Sequence, residues 1–188
     1  MFKIAVLISG TGTTLKSILV DAEKSSLYEV GLVISDRDCT GMDFAREYGI
    51  PYLVLTRDAS LSSRILKEVE SYDLVVLAGF LSILEGEILT LMKNRIINLH
   101  PSLLPRFGGR GMYGMKVHEA VYESGMPISG CTVHYVNEVI DGGTFILQRI
   151  IGVGDSASPE DIGKRVSAIE KGALIDAIRL IAREEETI

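Results

Sequence analysis

The chain has 188 residues, 47% of them hydrophobic, and a mean hydropathy of +0.28, which fits one domain with a substantial core. Its net charge of −6 and pI near 5.1 exclude a general nucleic-acid binder, which needs clustered Lys and Arg. No apolar run approaches the ~18 residues of a membrane span, and the first strand is too short for a signal-peptide core. We therefore expect a cytoplasmic protein with no targeting segment.

Strand and helix patterns alternate through the first half of the chain. The predicted strands are Lys3–Ser9, Val30–Ser35, Tyr52–Leu55, Leu74–Ala78 and the short apolar run Ile96–Ile97. The predicted helices, from apolar residues at helical spacing, are Thr13–Lys24, Gly41–Tyr48, Leu61–Val69 and Glu85–Lys93. This alternation predicts an α/β fold with a Rossmann-like, mostly parallel central sheet and helices on both faces.

The second half changes to a helix followed by two consecutive strands. Met115–Ser124 is the predicted helix, and Ser129–Asn137 and Thr144–Val153 are the predicted strands. The loop Asp141-Gly142-Gly143 joins these strands. Two strands joined by a short glycine loop predict an antiparallel C-terminal hairpin.

A last helix is predicted to begin after Ser158, which is a favourable N-cap with Pro159 at the first helical position. It is expected to run to about Arg183, and the tail EEET behind it is expected to be frayed. Because no repeat, linker or low-complexity tract interrupts the pattern, we predict a single domain over residues 1–188.

The segment SGTGTTLKS (Ser9–Ser17) joins the first predicted strand to the first helix. Its glycines allow a tight turn, and the N–H groups of Gly12, Thr13 and Thr14 are expected at the helix N-terminus, where the macrodipole favours an anion. A dinucleotide fingerprint and a Walker A loop are both absent, because Leu15 replaces the third glycine and no Gly-Lys-Ser/Thr follows. The pattern predicts either a site for a single phosphate or a tight turn without a ligand.

The segment NLHPSLLPRF follows the run Ile96–Ile97 and places Asn98 and His100 two residues apart. His100 is expected in a loop at the end of this strand, where α/β proteins form their sites. In an extended segment both side chains point the same way, so an amide and an imidazole are able to donate to one oxygen, as an oxyanion site requires. Pro101 and Pro105 restrict the backbone behind them. A capped loop with a surface histidine is the alternative that this short pattern leaves open.

Asp141 is the third candidate for chemistry. A functional aspartate in the hairpin loop is expected to pair with His100, raise the pKa of that histidine and fix its tautomer. Asp-Gly is also a common hairpin signal, so a role in the turn alone stays open.

The remaining cysteines and histidines show no metal-site pattern. Cys39 and Cys131 have no paired spacing, and the histidines do not follow zinc-ligand spacing, so we expect reduced thiols and no metal. His134 is expected to be a half-buried sheet residue near the site, and His118 to have a packing or surface role.

Several segments occur in an order that is typical of one enzyme family: VLISGTGTTLKSI, VVLAGFLSIL, INLHPSLLPRF, GCTVHYVNEVIDGGTFILQ and SAIEKGAL. On these motifs the whole chain resembles the 10-formyltetrahydrofolate-dependent formyltransferases, and within them the phosphoribosylglycinamide formyltransferases. The resemblance implies the formyltransferase fold. It also implies transfer of a formyl group from 10-formyltetrahydrofolate to the glycyl amine of 5-phosphoribosylglycinamide (GAR), in purine biosynthesis.

The resemblance implies site residues as well. The implied catalytic residues are Asn98, His100 and Asp141. The implied contacts to GAR are the backbone of Gly12, Thr13 and Thr14 at its phosphate and Glu170 at its glycyl end. The implied contacts to the folate are Arg64 near its tail, the segment Leu81, Ser82, Ile83 and Leu84 at the pterin ring, and Asn98, Val139, Ile140 and Asp141.

The mechanism that follows is direct acyl transfer without a covalent enzyme intermediate. The GAR amine attacks the formyl carbon, and Asn98 and a protonated His100 donate to the oxyanion. Asp141 is expected to keep His100 cationic and to hold a water that relays the amine proton to N10 of the folate.

The chain departs from many relatives at three places. Thr13-Thr14 replaces a Ser-Asn type pair, which a backbone cradle tolerates, and Ser82 replaces an arginine. The segment GGRGMYGMKVHEA is longer than in some relatives, and its glycines predict a mobile loop over the site.

Three other functions are alternatives to this one. A formyltetrahydrofolate hydrolase carries an extra N-terminal domain, and a methionyl-tRNA formyltransferase carries an added C-terminal domain and a basic surface, which the net charge of −6 disfavours. A folate- or nucleotide-binding protein without activity is disfavoured by the complete set Asn98, His100 and Asp141. The expected partners are the two small substrates, with no nucleic acid and no membrane, and a homodimer is left open.

Overall fold

The computed structural model describes residues 1–154 and 158–185. The chain divides into two compact units, one formed by residues 1–98 with the chain from Arg179 onward, the other by Leu99–Ile178. The single domain over residues 1–188 stays a prediction, because two compact units can belong to one folding domain. Glu186 and Thr187 of the tail that was expected to fray lie outside the described residues.

The order of elements along the chain is the predicted alternation followed by a hairpin and a long helix. The strands are β1 (Phe2–Ile8), β2 (Tyr28–Ser35), β3 (Tyr52–Val54), β4 (Leu74–Leu77), β5 (Ile96–His100), β6 (Ile128–Tyr135) and β7 (Phe145–Gly152). The helices are α1 (Thr13–Ala22), α2 (Met42–Glu47), α3 (Leu61–Val69), α4 (Glu87–Leu91), α5 (Met115–Glu123) and α6 (Pro159–Glu185). The sheet has the strand order β3-β2-β1-β4-β5-β6-β7.

Parallel pairing builds the sheet of the first unit. β1 pairs with β2 and with β4, β2 with β3, and β4 with β5, all in parallel. The strands β1 and β4 are apolar and almost fully buried, as parallel strands covered on both faces must be. In the last pairing Leu77 lies opposite Asn98, which places Asn98 at the carboxyl end of the sheet, where open α/β sheets bind ligands.

An antiparallel hairpin dominates the second unit, as predicted. β6 and β7 pair from Ile128 opposite Gly152 to His134 opposite Phe145, with a register shift between Val133 and His134. Glycine is required at Gly143, because a Cβ there would lie 1.7 Å from the carbonyl oxygen of Tyr135.

The long helix α6 begins where the capping pattern predicts. The Ser158 hydroxyl accepts a hydrogen bond from the Asp161 N–H at 3.2 Å, and the carboxylate of Asp161 accepts one from the Ser158 hydroxyl at 3.2 Å. These bonds satisfy a donor that the helix start leaves open. The helix reaches Glu185, close to the expected end near Arg183.

The end of β5 differs from the sequence prediction. The apolar run Ile96–Ile97 was expected to end in a loop that carries His100, but β5 continues to His100. Asn98 and His100 therefore lie on a strand, where alternation directs both side chains to one face.

Candidate active site

The carboxylate of Asp141 lies close to three polar groups of the second unit. Its Oδ2 accepts a hydrogen bond from the Gly109 N–H at 2.9 Å and lies 3.4 Å from Nδ1 of His100. Its Oδ1 lies 3.6 Å from Nε2 of His134. The side chain of Asp141 is only 10% exposed, and both histidines are more deeply buried. Two imidazoles and one carboxylate thus share a dry environment, in which their charges interact strongly.

The hairpin loop fixes the position of Asp141. The residue adopts φ 57°, a left-handed conformation that aspartate tolerates better than most residues. The Gly142 N–H donates to the carbonyl of Val139 at 2.9 Å, and Gly143 contacts Tyr135 closely. The glycines behind Asp141 therefore serve the turn, and the turn directs the carboxylate inward.

His100 is held on its other side by a backbone carbonyl. Its Nε2 lies 2.8 Å from the carbonyl oxygen of Phe107, and because a carbonyl only accepts, Nε2 carries the hydrogen. Phe107 adopts φ 56°, and the hydroxyl of Ser102 donates to the Arg106 carbonyl at 3.0 Å. The chain that follows β5 thus folds back to orient the ring.

The pKa of His100 depends on burial and on its two polar contacts. Burial lowers this pKa below the ordinary value of 6.5 and outweighs the opposing charge of Asp141 and the bond to Phe107. Asp141 acts in the direction expected from the sequence, because its charge favours the cationic ring, but burial has the larger effect on the pKa of His100. Burial by itself would raise the pKa of Asp141, yet His134, His100 and the Gly109 N–H hold it below its ordinary value.

The glycine-rich loop begins against the carboxylate of Asp141. A Cβ on Gly108 would lie 2.4 Å from Cδ2 of Leu104 and 3.2 Å from Cβ of Asp141. Gly109, with φ 92°, supplies the N–H that Asp141 accepts. The start of the loop is therefore held at the site by a hydrogen bond from its backbone to Asp141. That the rest of the loop moves over the site stays a prediction.

His134 was expected to be a half-buried sheet residue near the site, whereas it is almost fully buried and lies against Asp141. It is 2% exposed, and its Nδ1 lies 2.8 Å from the Tyr135 carbonyl, so that Nδ1 carries a hydrogen and Nε2 faces Asp141. The sequence offered one signal for this contact, since His134 and Asp141 both lie near the loop of the predicted hairpin. His118 packs in the interior and is 7% exposed. Of the two roles expected for it, packing or surface, the packing role is confirmed.

In the glycine turn of the first unit, close packing against a neighbouring loop explains the need for a glycine. Gly12 adopts φ 71° as the N-cap of α1, and a Cβ on it would lie 2.6 Å from Cα of Gly41. The first N–H groups of a helix, here those of Thr13 and Thr14, have no acceptor within the helix. The turn therefore leaves donors at the carboxyl edge of the sheet, although its second glycine, Gly12, is needed for packing without any ligand.

The segment expected to contact the pterin lies after β4. Leu81 and Ile83 are 58% and 57% exposed, while Leu84 is buried. The hydroxyl of Ser82 donates to the carboxylate of Asp36 at 2.5 Å. Two large apolar side chains thus remain uncovered in this segment.

The other folate candidates lie in both units. Arg64 of the first unit donates to Asp58 at 2.8 Å. In the second unit Val139, which is 64% exposed, and Ile140 precede Asp141 in the hairpin loop.

Glu170 projects from α6 in the second unit and is half-buried. Burial raises its pKa above the ordinary value, against the opposing effects of Ser167 and Lys171. Its charge also acts on Cys131, and burial and that charge raise the pKa of Cys131 to about 11. A thiol with this pKa is a poor nucleophile at neutral pH.

Within residues 1–154 and 158–185, no cluster of three or more His, Cys, Asp or Glu side chains is arranged to hold a metal ion. In the same part of the chain, no helix combines the length and apolarity needed to cross a membrane.

A mostly parallel α/β sheet and a buried histidine–carboxylate pair are typical of enzymes of the group-transfer or hydrolytic class. The comparison with known proteins narrows this class. The chain belongs to the formyl transferase family, whose model matches residues 2–178.

Relatives of known name support this membership. The chain is 38% identical to phosphoribosylglycinamide formyltransferase, chloroplastic, of Arabidopsis thaliana, over 97% of this chain and 66% of that protein. It is 37% identical to the trifunctional purine biosynthetic protein adenosine-3 of Gallus gallus, over 96% of this chain. The chain thus spans less than two thirds of the Arabidopsis protein and 18% of the Gallus protein.

A solved structure has the same fold. The crystal structure of glycinamide ribonucleotide transformylase 1 from Symbiobacterium toebii superimposes with a TM-score of 0.89 at 36% identity. The match covers 98% of this chain and 89% of that one, so the formyltransferase fold predicted from the sequence is confirmed.

Proposed function

We propose that the protein transfers the formyl group of 10-formyltetrahydrofolate to the glycyl amine of GAR, which gives formyl-GAR and tetrahydrofolate in purine biosynthesis. The observation that carries the proposal is the buried pair of His100 and Asp141, with Nδ1 and Oδ2 3.4 Å apart, in a member of the formyl transferase family. The names of the relatives favour GAR as the acceptor. The donor acts as a second substrate, and no metal is required.

The reaction forms one C–N bond and breaks another. The GAR amine attacks the formyl carbon, negative charge develops on the formyl oxygen, and the bond from this carbon to N10 of the folate then breaks. In our proposal the Asn98 amide donates to this oxygen, and His100 stabilises its charge once the ring has become the imidazolium. Preorganised donors of this kind lower the barrier because they need no rearrangement when the charge appears.

The resting charge of His100 fits a role in proton transfer. Burial favours the neutral ring, and a neutral ring is able to accept the proton that the attacking amine must lose. The resulting imidazolium lies between the Asp141 carboxylate and the Phe107 carbonyl, both of which stabilise a cation. The proton then passes to N10, the leaving nitrogen, and the ring returns to its neutral form.

The substrate contacts follow the residues that the resemblance implies. We propose that the backbone of Gly12, Thr13 and Thr14 binds the phosphate of GAR, since helix N-termini favour anions, and that Glu170 contacts the glycyl end. The exposed side chains of Leu81 and Ile83 fit the apolar body of the folate. The complete set of proposed folate contacts is Leu81, Ser82, Ile83, Leu84, Asn98, Val139, Ile140 and Asp141, with Arg64 near the tail.

Location and assembly are also proposals. We propose a cytoplasmic location, while the Arabidopsis relative is described as chloroplastic, and fractionation of the source cells tests it. A homodimer is tested by light scattering after size-exclusion chromatography.

The test follows the absorbance change on loss of the formyl group from 10-formyltetrahydrofolate, with and without GAR. We expect turnover that requires GAR and is lost in His100→Ala, with Asp38→Asn, an exposed aspartate, as the matched control. GAR-independent release of formate would instead identify a hydrolase. Binding of folate without turnover under either condition would contradict the transferase.

A further inference from the structure

The hydroxyl of Thr132 uses its whole hydrogen-bonding capacity inside the second unit. Thr132 lies on β6 and is fully buried. Its Oγ1 accepts hydrogen bonds from the Leu104 N–H at 3.0 Å and from the Gln148 side-chain amide at 2.9 Å, and it donates to the Ser102 carbonyl at 2.7 Å. A hydroxyl has one proton and two lone pairs, so all three are engaged. The hydroxyl therefore joins the hairpin to the chain that follows β5 at two places.

Gln148 holds this arrangement from the neighbouring strand. It lies opposite Thr132 in the hairpin, and its Nε2 donates to the Thr132 hydroxyl at 2.9 Å and to the Leu104 carbonyl at 3.1 Å. A carbonyl only accepts, and the hydroxyl gives its own proton to Ser102, so both partners require the amide nitrogen rather than the amide oxygen. Both N–H groups of Gln148 are thus used, and Leu104 is held by its N–H and by its carbonyl.

The backbone between Ser102 and Phe107 carries this restraint to the ring of His100. Ser102 is fully buried, and its hydroxyl donates to the Arg106 carbonyl at 3.0 Å and lies 3.4 Å from the Phe107 carbonyl oxygen. The Phe107 carbonyl in turn accepts from Nε2 of His100 at 2.8 Å. Phe107 adopts φ 56°, a conformation that a bulky residue keeps only where its surroundings enforce it. The position of the acceptor for His100 therefore depends on how this backbone is held.

The side chain of Leu104 connects the same backbone to Asp141. A Cβ on Gly108 would lie 2.4 Å from Cδ2 of Leu104 and 3.2 Å from Cβ of Asp141, so the space between these two side chains is filled. The next residue, Gly109, supplies the N–H that the Asp141 carboxylate accepts at 2.9 Å. A shift of Leu104 would therefore disturb the carboxylate as well as the imidazole.

We propose that Gln148 is a positioning residue for the pair of His100 and Asp141, and that it acts through Thr132 and Leu104. Gln148 lies on β7, the last strand of the sheet, and is exposed, while its amide nitrogen reaches the buried hydroxyl. For its effect on formyl transfer the inference rests on the proposed function, whereas the geometry of the pair is measurable without substrate. A purely structural amide would contribute to the free energy of unfolding without altering the ring of His100 in the folded molecule.

The first test observes the ring of His100 by NMR in the full-length protein without substrate, with its signals assigned by their loss in His100→Ala. Gln148→Met keeps the length of the side chain but removes both N–H donors. We expect the signal of the hydrogen on Nε2 to move upfield and to exchange faster with water, because its bond to Phe107 loosens. The titration midpoint of the ring should fall, since that bond raises the pKa of His100.

Ile150→Met is the matched control for this substitution. Ile150 lies two residues further along β7, on the same face of the strand, and is 65% exposed. The titratable groups that act on His100 or respond to it are Asp141 and His134 of the hairpin and His118 of α5. Because neither variant changes them, a difference between the two variants reports the loss of the amide.

Kinetics then connect the positioning with the proposed reaction. Gln148→Met should lower kcat by about 10- to 100-fold with little change in the KM for either substrate, since a misplacement of about 1 Å costs up to about 10²-fold. Thr132→Ser keeps the hydroxyl and should retain the activity, whereas Thr132→Val should lose about as much as Gln148→Met. In the double variant of Gln148→Met and Thr132→Val the losses should be less than multiplicative, because both residues hold the same backbone.

The outcomes separate the role of Gln148 from the proposed function. An unchanged Nε2 hydrogen signal and titration midpoint in Gln148→Met would overturn the proposal, whatever the stability of the variant in urea. An equal change in Ile150→Met, an altered ring with unchanged kcat, or a rise in KM alone would also overturn it. Absence of GAR-dependent turnover in the unchanged protein would refute the proposed function, whereas the NMR comparison would still decide whether Gln148 positions His100.

Discussion

Nδ1 of His100 and Oδ2 of Asp141 lie 3.4 Å apart, and both side chains are at most 10% exposed. Burial lowers the pKa of His100, and the charge of Asp141 opposes that effect. The pair is therefore balanced between a neutral ring and an ion pair. An anion that develops beside the ring shifts this balance toward the imidazolium, which is what the proposed chemistry requires.

Asp141→Asn should lower the pKa of His100 further, because it removes the charge that opposes burial. The midpoint of the His100 ring signal in an NMR titration is expected at lower pH than in the unchanged protein. The kcat/KM should fall by about 10²–10⁴, the range for loss of a positioned acid–base partner. An unaltered midpoint would show that Asp141 does not govern the ring, and Asp38→Asn controls for a general loss of charge.

Asn98→Ala should lower kcat with little change in KM, since the amide is proposed to act on charge that exists only in the transition state. The expected loss is about 10²–10³ in rate. In the double variant with His100→Ala the two losses should be less than multiplicative, because both donors serve one oxygen. Steady-state kinetics of the two single variants and the double variant measure these losses. Losses that multiply would contradict the prediction and indicate that the two residues act on different atoms.

Gly143→Ala should destabilise the hairpin strongly. A Cβ at this position would lie 1.7 Å from the Tyr135 carbonyl oxygen, and backbone cannot yield as a flexible side chain does. We expect a loss of at least about 3 kcal/mol in the free energy of unfolding, the upper end for overpacking. Gly152→Ala is the control, since a Cβ there meets nothing within 4 Å. Equal urea midpoints for the two variants would contradict this account.

The alternation of elements was predictable from the sequence because it follows from burial. Leu61–Val69 was placed correctly at both ends, since its apolar residues repeat at helical spacing. The extension of β5 through His100 was not predictable, because polar residues that continue a strand have no apolar alternation to signal it. The boundary depends on pairing with neighbouring strands.

The residues of the candidate site were predictable as types, but their electrostatics were not. Asn98, His100 and Asp141 were identified from the motif and the resemblance. The lowered pKa of His100 depends on burial that no local pattern reports. His134, which contacts Asp141, follows a register shift in the hairpin, and hairpin length alone does not reveal such a shift.

His118 gives a prediction about stability. Burial, reinforced by the charge of His100, lowers the pKa of His118 below the value of 6.5 that an unfolded histidine has. Between those two values the unfolded chain binds more protons, so the free energy of unfolding rises with pH. This contribution is complete above about pH 6.5 and is lost as the pH falls toward the pKa of the folded state.

His118→Leu should therefore weaken the acid sensitivity of the fold. The slope of the free energy of unfolding between pH 5 and 6.5 should fall by up to about 1.4 kcal/mol per pH unit, one proton's worth. At pH 8 the cost should stay below about 1.5 kcal/mol, because Nδ1 of His118 has no hydrogen-bond partner among the described residues. Urea unfolding of both proteins across this pH range measures the slopes. If the free energy of unfolding had the same slope against pH in both proteins, other groups would cause the acid sensitivity. His100, whose pKa is also lowered, would be the first of these to test.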